Sequence, residues 1–93
     1  MYRVITYGEA FEQIAALPDE ALGGYAEVLG VLELAPWSGL PQHKGNPNGA
    51  VRQWLFGSHG AGQVVYLILE QQREVHVLLV QWVDWPDLPK LAY

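Results

Sequence analysis

Three strand-like stretches, at residues 51–56, 63–70 and 75–83, constrain this chain most, because only short connections separate them. β-Branched and aromatic side chains recur in each stretch, which is typical of β-strands. The connecting residues, 57–62 and 71–74, are too few for a crossover between parallel strands. The pattern therefore predicts consecutive hairpins in an antiparallel sheet.

The residues before these hairpins predict one further strand and two helices. Residues 2–7 are β-branched and aromatic, and Gly8 closes them, so they predict a strand. Residues 9–17 carry apolar side chains at helical spacing as far as Pro18. A second helical stripe follows and contains Leu22, Tyr25, Leu29 and Leu32. The order βααβββ predicts a single α+β domain over residues 1–93, with a helical hairpin on a mainly antiparallel four-stranded sheet.

Composition excludes several classes of protein. The chain has a formal net charge of −5, whereas broad binding to nucleic-acid backbones needs a basic surface. It has no Cys, which excludes disulfides and thiolate metal sites. No apolar run approaches the ~18 residues of a membrane helix, and residues 1–9 lack the apolar stretch of a signal peptide. We expect a cytoplasmic protein with no membrane contact.

Residues 37–50 predict a long loop, because they contain two Pro, three Gly and two Asn. This loop contains His43 and Lys44, one of the few basic spots in an acidic chain. A loop of about this length inside a small domain is usually functional or disordered.

The last two strands are apolar on both faces, which a sheet covered on one side only does not need. Strict alternation predicts one face of the last strand with His76, Leu78, Val80 and Trp82. Apolar residues on the face away from the helices would expose more hydrophobic surface than a monomer usually tolerates. Three alternatives could cover this apolar face: a partner helix, a second copy of the chain, or the tail residues Trp85, Leu88 and Leu91.

The element order, together with residues 51–57 (VRQWLFG) and 64–68 (VVYLI), resembles the RelE/ParE superfamily of bacterial toxins. The resemblance spans almost the whole chain and implies the RelE-like α+β fold. It further implies the toxin of a type II toxin–antitoxin pair, which inhibits translation by cleaving mRNA on the ribosome. Its partners would be a cognate antitoxin, the ribosome and mRNA, and it would use no cofactor.

The resemblance also implies where such a ribonuclease would hold RNA. Arg52 is the candidate phosphate ligand, and Lys44 is an accessory charge. His43 and His59 are candidate proton carriers, because His titrates near neutral pH. Substrate-binding positions, where relatives usually carry basic side chains, fall on Trp54, Gln63, Gln81 and Trp82. The three His lack the spacing of metal ligands, so we predict no metal site.

Each candidate also has a structural interpretation. Arg52 could instead pair with a carboxylate such as that of Glu70, and the two Trp could belong to the core or to an interface. Because several basic positions are replaced and the chain is acidic, two alternative functions remain. The chain could be a gyrase-directed toxin of the ParE type, or a catalytically degenerate RelE-fold module that binds protein.

Overall fold

The structure is a computed structural model that describes residues 1–46 and 48–83. Its elements in chain order are β1 (Arg3–Thr6), α1 (Gly8–Ala15), α2 (Asp19–Leu34), β2 (Leu40–Pro41), β3 (Val51–Phe56), β4 (Gly62–Leu69) and β5 (Glu74–Trp82). This architecture confirms the predicted α+β class, with a helical hairpin on a mostly antiparallel sheet.

The strands form one five-stranded sheet in the order β1-β5-β4-β3-β2. β1 runs parallel to β5, and the other neighbouring strands are antiparallel. The predicted sheet had four strands, and the additional strand β2 lies inside the segment predicted to be a loop. β2 has only two residues, with Leu40 opposite Gln53, which is too short for any periodicity in the sequence.

The second helix begins directly after Pro18, whose missing N–H costs nothing at a helix start. Tyr25 and Leu32 are buried, as the predicted stripe requires. Leu22 is 47% exposed, whereas Ala21 is buried. The buried stripe of α2 therefore begins one residue earlier than the leucine spacing suggests.

Both helices pack on the same face of the sheet, and the core lies between them and the central strands. Ala10 of α1 and Val28 of α2 are buried in one cluster with strand residues. The strand residues of this cluster come from β3, β4 and β5 and include Phe56, Val64, Tyr66, Ile68, Val75, Val77 and Val80. We call this side of the sheet the helix-covered face and the opposite side the second face.

A β-bulge in β5 changes which residues share a face. Val65 lies opposite Leu79 while its neighbour Tyr66 lies opposite Val77, so Leu78 is an extra residue in β5. Beyond the bulge, Val80 lies opposite Val64, on the helix-covered face. The predicted alternation, which placed Val80 and Trp82 on the face of His76, is therefore wrong by one residue.

No helix in the described ranges is long and apolar enough to cross a membrane. The tail residues proposed as a cover for the sheet, Trp85, Leu88 and Leu91, lie outside the described residues.

Candidate functional site

The second face of β3, β4 and β5 is the natural candidate for a binding surface, since the helices occupy the other face. The side chains of a cross-strand pair lie on the same face of the sheet, so the register shows on which face each side chain of these strands lies. The second face consists of Val51, Gln53, Leu55, Gln63, Val65, Leu67, Leu69, Glu74, His76, Leu79 and Gln81.

Arg52 lies on the helix-covered face, opposite Tyr66, and is only 8% exposed. Its Nε donates to the carbonyl oxygen of Gly49 at 3.0 Å, and its Nη1 donates to that of Gly39 at 3.0 Å. Its guanidinium carbon lies 5.1 Å from the centre of the Trp37 ring. These contacts attach the segments on both sides of β2 to the sheet. A phosphate-binding role for Arg52 stays a prediction.

Glu70, the carboxylate considered as a partner for Arg52, is engaged elsewhere. It accepts hydrogen bonds from Arg73 Nη1 at 2.8 Å and from Trp37 Nε1 at 2.8 Å. The hydroxyl of Tyr2 donates to the same carboxylate at 2.5 Å. The hydrogen bonds from Tyr2, Trp37 and Arg73 lower the pKa of Glu70 to about 2. Glu70 therefore ties the start of the chain to the turn between β4 and β5.

The structure does not bring the predicted proton carriers together. His43 and Lys44 are exposed in the segment that enters β3. His59 is exposed in the turn that leaves β3, with a positive φ of 58°. The two sites lie at opposite ends of a six-residue strand. At ~3.3 Å per residue this separates them by roughly 20 Å along the sheet. The sequence offers His43 or His59 as alternative proton carriers, and either role stays a prediction.

The four predicted substrate-binding residues divide between the two faces. Gln63 and Gln81 lie opposite each other on the second face. Trp54 and Trp82 are partly buried against the core on the helix-covered face. Gln63 Nε2 also donates to Gln53 Oε1 at 2.6 Å. The second face thus carries a row of three amides.

The second face of the three central strands carries no Lys or Arg among the described residues. Apolar side chains and amides make up most of it, and Leu55 is 50% exposed. Leu78, the bulge residue, is 36% exposed. Such a surface suits a protein partner, because a phosphate needs cationic or backbone N–H donors.

Sequence reasoning missed a network at the junction of β1 and β5. The hydroxyl of Tyr7 and Nδ1 of His76 are hydrogen-bonded at 2.5 Å, and His76 Nε2 lies 3.0 Å from Glu74 Oε1. Arg3 pairs with the same Glu74 carboxylate. The hydrogen bond from His76, followed by that from Arg3, lowers the pKa of Glu74. Only the parallel pairing of β1 with β5 brings these residues together, and no local pattern reveals that pairing.

No group of three or more His, Asp or Glu side chains in residues 1–46 and 48–83 is arranged to hold a metal ion.

Comparison with solved structures identifies the fold. A mutant of the Escherichia coli toxin RelE, bound to a peptide of the antitoxin RelB, superposes with a TM-score of 0.71 at 12% identity, over 97% of each chain. The isolated E. coli RelE toxin superposes with a TM-score of 0.67 at 15% identity, over 90% of this chain and 86% of that one.

The archaeal RelE–RelB complex from Pyrococcus horikoshii OT3 gives a TM-score of 0.60 at 17% identity, over 87% of this chain and 93% of that one. Neither a protein-family model nor a curated protein matches the sequence. The likeness is therefore one of three-dimensional structure, and it spans nearly the whole chain. This protein has the RelE fold.

Proposed function

We propose that this chain is the toxin component of a toxin–antitoxin pair and that a cognate antitoxin binds its second face. The RelE fold supports this proposal, and two of the similar structures are RelE bound to RelB or to a RelB peptide. The apolar character of the second face supports it independently, because exposed apolar patches mark sites of protein binding.

The single observation that carries the proposal is the chemistry of the second face. Its central strands present amides and aliphatic side chains, with no Lys or Arg among the described residues. An amphipathic antitoxin helix would bury its apolar stripe on Leu55 and Leu79 and donate hydrogen bonds to the glutamine row. The net charge of −5 favours a basic partner segment over an RNA backbone.

Co-purification with the antitoxin tests this proposal. The chain carries an affinity tag and is co-expressed with the product of the neighbouring open reading frame. We expect a stoichiometric complex, and Leu79→Asp should weaken it at least tenfold by burying a charge in the interface. Leu34→Asp is the matched control, because Leu34 is 71% exposed at the end of α2. Equal binding by both variants would contradict the use of the second face.

Cleavage of mRNA on the ribosome is the finer proposal, and it rests on the resemblance to RelE alone. The described residues place no Lys or Arg on the second face of the three central strands, so Arg52 and Lys44 are the cations that this proposal assigns to phosphate, and we expect the protein to cut mRNA on the ribosome. Purified protein is added to ribosomes programmed with a defined mRNA, and primer extension maps any cut. A cut in the A site that disappears in Lys44→Met, a substitution at an exposed residue, would support ribonuclease activity. Growth arrest accompanied by a DNA-damage response would instead indicate a gyrase-directed toxin.

A further inference from the structure

The edge strand β1 brings a tyrosine to the second face of β5. Arg3 lies opposite Glu74 and Ile5 lies opposite His76 in the parallel register. Tyr7 follows two residues after Ile5 and still has extended backbone angles, with φ of −78° and ψ of 162°. Strand alternation therefore places Tyr7 on the same face. There the Tyr7 hydroxyl, the His76 ring and the Glu74 carboxylate are joined by successive hydrogen bonds, which we call the Tyr7–His76–Glu74 network.

The charge of Glu74 fixes the direction of these hydrogen bonds. The hydrogen bond from His76, followed by that from Arg3, lowers the pKa of Glu74. An ionised carboxylate accepts hydrogen bonds and donates none. Nε2 of His76 therefore carries the proton, 3.0 Å from Glu74 Oε1, and Nδ1 of the neutral ring is an acceptor. The Tyr7 hydroxyl, 2.5 Å from Nδ1, is then the donor.

Exposure decreases from the tyrosine end of the network to the other two side chains. Tyr7 is 48% exposed, and its hydrogen bond to His76 lies at the surface. The side chains of His76 and Glu74 are only 12% and 16% exposed. A reagent can therefore reach the hydroxyl, while the sheet holds the base and the carboxylate in place. A nucleophile, a base and a carboxylate that orients the base have this arrangement in catalytic triads.

The charges around Tyr7 favour a neutral acyl donor over an anionic phosphoryl donor. Arg3, the cation of this region, pairs with Glu74 and not with Tyr7. Glu9 is exposed in the first turn of α1, two residues after Tyr7, and its carboxylate repels an anion. The net charge of −5 acts in the same direction.

The side chains on either side of His76 are aliphatic. Ile5 lies opposite it in β1, and Leu67 lies opposite it in β4. Both are partly exposed. An apolar acyl group would therefore contact apolar surface beside the Tyr7 hydroxyl.

We propose that Tyr7 is a nucleophilic tyrosine that takes an acyl group from a neutral activated ester, with His76 as general base and Glu74 as positioning residue. The phenol oxygen attacks the ester carbonyl carbon while its proton moves to Nδ1 of His76. The tetrahedral intermediate then breaks its bond to the leaving oxygen, which departs with the electron pair and takes up this proton. The products are O-acylated Tyr7 and the free alcohol. Residues of β1 and β5 alone form the site, so the proposal does not rest on the proposed function.

Reaction of the full chain with p-nitrophenyl acetate tests the proposal. We expect Tyr7 to be the residue acetylated fastest, as located by mass spectrometry of proteolytic peptides during release of p-nitrophenol. Tyr7→Phe should remove this label, and His76→Gln should slow it at least about tenfold. Tyr2→Phe is the matched control, because the Tyr2 hydroxyl donates to Glu70 and has no imidazole base, so labelling of Tyr7 should stay unchanged. Acetylation of Tyr7 no faster than that of Tyr2 would overturn the proposal.

The pH dependence of acetylation tests the positioning role of Glu74. The rate should rise with pH as His76 loses its proton, because only the neutral ring accepts the Tyr7 proton. His76 contacts the polar groups of Tyr7 and Glu74, while Ile5 and Leu67 opposite it are uncharged. Glu74→Gln leaves the imidazolium without its anionic partner, so the rise should move to lower pH and the plateau should fall severalfold. An unchanged profile in Glu74→Gln, or the same rise in His76→Gln, would overturn the proposal and leave the network a structural contact.

Discussion

The guanidinium of Arg52 stacks on the indole of Trp37, with its central carbon 5.1 Å from the ring centre. The same guanidinium donates to two backbone carbonyl oxygens, those of Gly39 and Gly49. Arg52 therefore joins the segment after α2, the segment before β3 and the sheet itself. The residue that the resemblance implies as a phosphate ligand therefore has a structural role in this part of the fold.

Replacing Arg52 by Met tests the structural part of this interpretation. The change keeps the aliphatic volume but leaves the buried carbonyl group of Gly39 and the partly buried carbonyl group of Gly49 without the Arg52 donor. A buried group left without a partner costs roughly 1–3 kcal/mol and a partly buried one less, so the free energy of unfolding should fall by about 2–4 kcal/mol. Urea denaturation followed by Trp fluorescence measures the change.

Arg52→Lys and Arg3→Met are the controls for this substitution. Lys cannot reproduce the forked geometry of two donors, so Arg52→Lys should recover only part of the loss. Arg3 has a 74% exposed side chain, and its removal should leave the denaturation midpoint almost unchanged. A small change in the free energy of unfolding of Arg52→Met would show that these hydrogen bonds do not stabilise the fold. Arg52 would then be explained by a role other than stability.

Two buried tyrosines differ in whether the hydroxyl has a partner. Tyr66 is fully buried, and its hydroxyl donates to the carbonyl oxygen of Pro36 at 2.7 Å. The hydroxyl of Tyr25 is buried and has no hydrogen-bond partner in the described part of the chain. Burial raises the pKa of both phenols to about 12.

Tyr66→Phe should therefore lower the free energy of unfolding by about 1–2 kcal/mol, since it removes the shorter of two hydrogen bonds to the Pro36 carbonyl oxygen and leaves only Gly39 N at 3.4 Å. Tyr25→Phe makes the same chemical change at a hydroxyl without a partner, and it should be neutral or stabilising. Urea denaturation of the two variants under the same conditions measures the two changes in the free energy of unfolding. Equal losses would mean that the Tyr66 hydrogen bond contributes nothing beyond the presence of a buried hydroxyl.

Gly39 lies beside Tyr66, and its carbonyl oxygen accepts the hydrogen bond from Arg52. A Cβ at this position would overlap the hydroxyl of Tyr66 and lie 2.8 Å from the carbonyl oxygen of Gln53. We expect Gly39→Ala to destabilise the protein by roughly 1–3 kcal/mol or more, the usual cost of forcing extra atoms into a packed site.

Gly30→Ala is the matched substitution in the interior of α2. An added Cβ at Gly30 meets nothing within 4 Å, so the change should stabilise the helix by about 0.5–1 kcal/mol. Thermal unfolding of the two variants should move in opposite directions. A shift of the same sign in both would contradict the close approach at Gly39.

The sequence predicts the helices and the longer strands because each has its own period or its own β-branched composition. It does not predict β2, since two residues carry no period. The bulge at Leu78 leaves no trace either, because its neighbours in β5 are apolar on both faces. One extra apolar residue in such a run changes the faces of Val80 and Trp82 without changing the appearance of the sequence.

The same ambiguity limits prediction of the site. Alternation correctly groups Arg52 with Trp54 and Phe56, but it does not show which face the helices cover. Because both faces of β4 are apolar, hydrophobicity cannot decide between them. The sequence therefore predicts Arg52 and Gln63 in one site, although the two side chains lie on opposite faces of the sheet.

The three hydrogen bonds that lower the pKa of Glu70 make its contribution to stability dependent on pH. The folded-state pKa of about 2 lies below the ordinary value of 4.5. A carboxylate with a lowered pKa stabilises the folded state above its unfolded pKa, and this stabilisation is lost as the pH falls through the folded pKa. The window for Glu70 therefore extends from about pH 4.5 down to about pH 2.

Glu70→Gln should reduce stability at pH 6, and the difference from the unsubstituted protein should shrink steadily as the pH falls from 4.5 to 2. Urea denaturation midpoints measured at pH 6, 4, 3 and 2 follow this difference. Glu9→Gln is the control, because Glu9 is exposed in the first turn of α1, and its difference from the unsubstituted protein should stay small throughout. If the difference in denaturation midpoint between Glu70→Gln and the unsubstituted protein does not change from pH 6 to pH 2, ionised Glu70 does not stabilise the contact between the start of the chain and the β4–β5 turn.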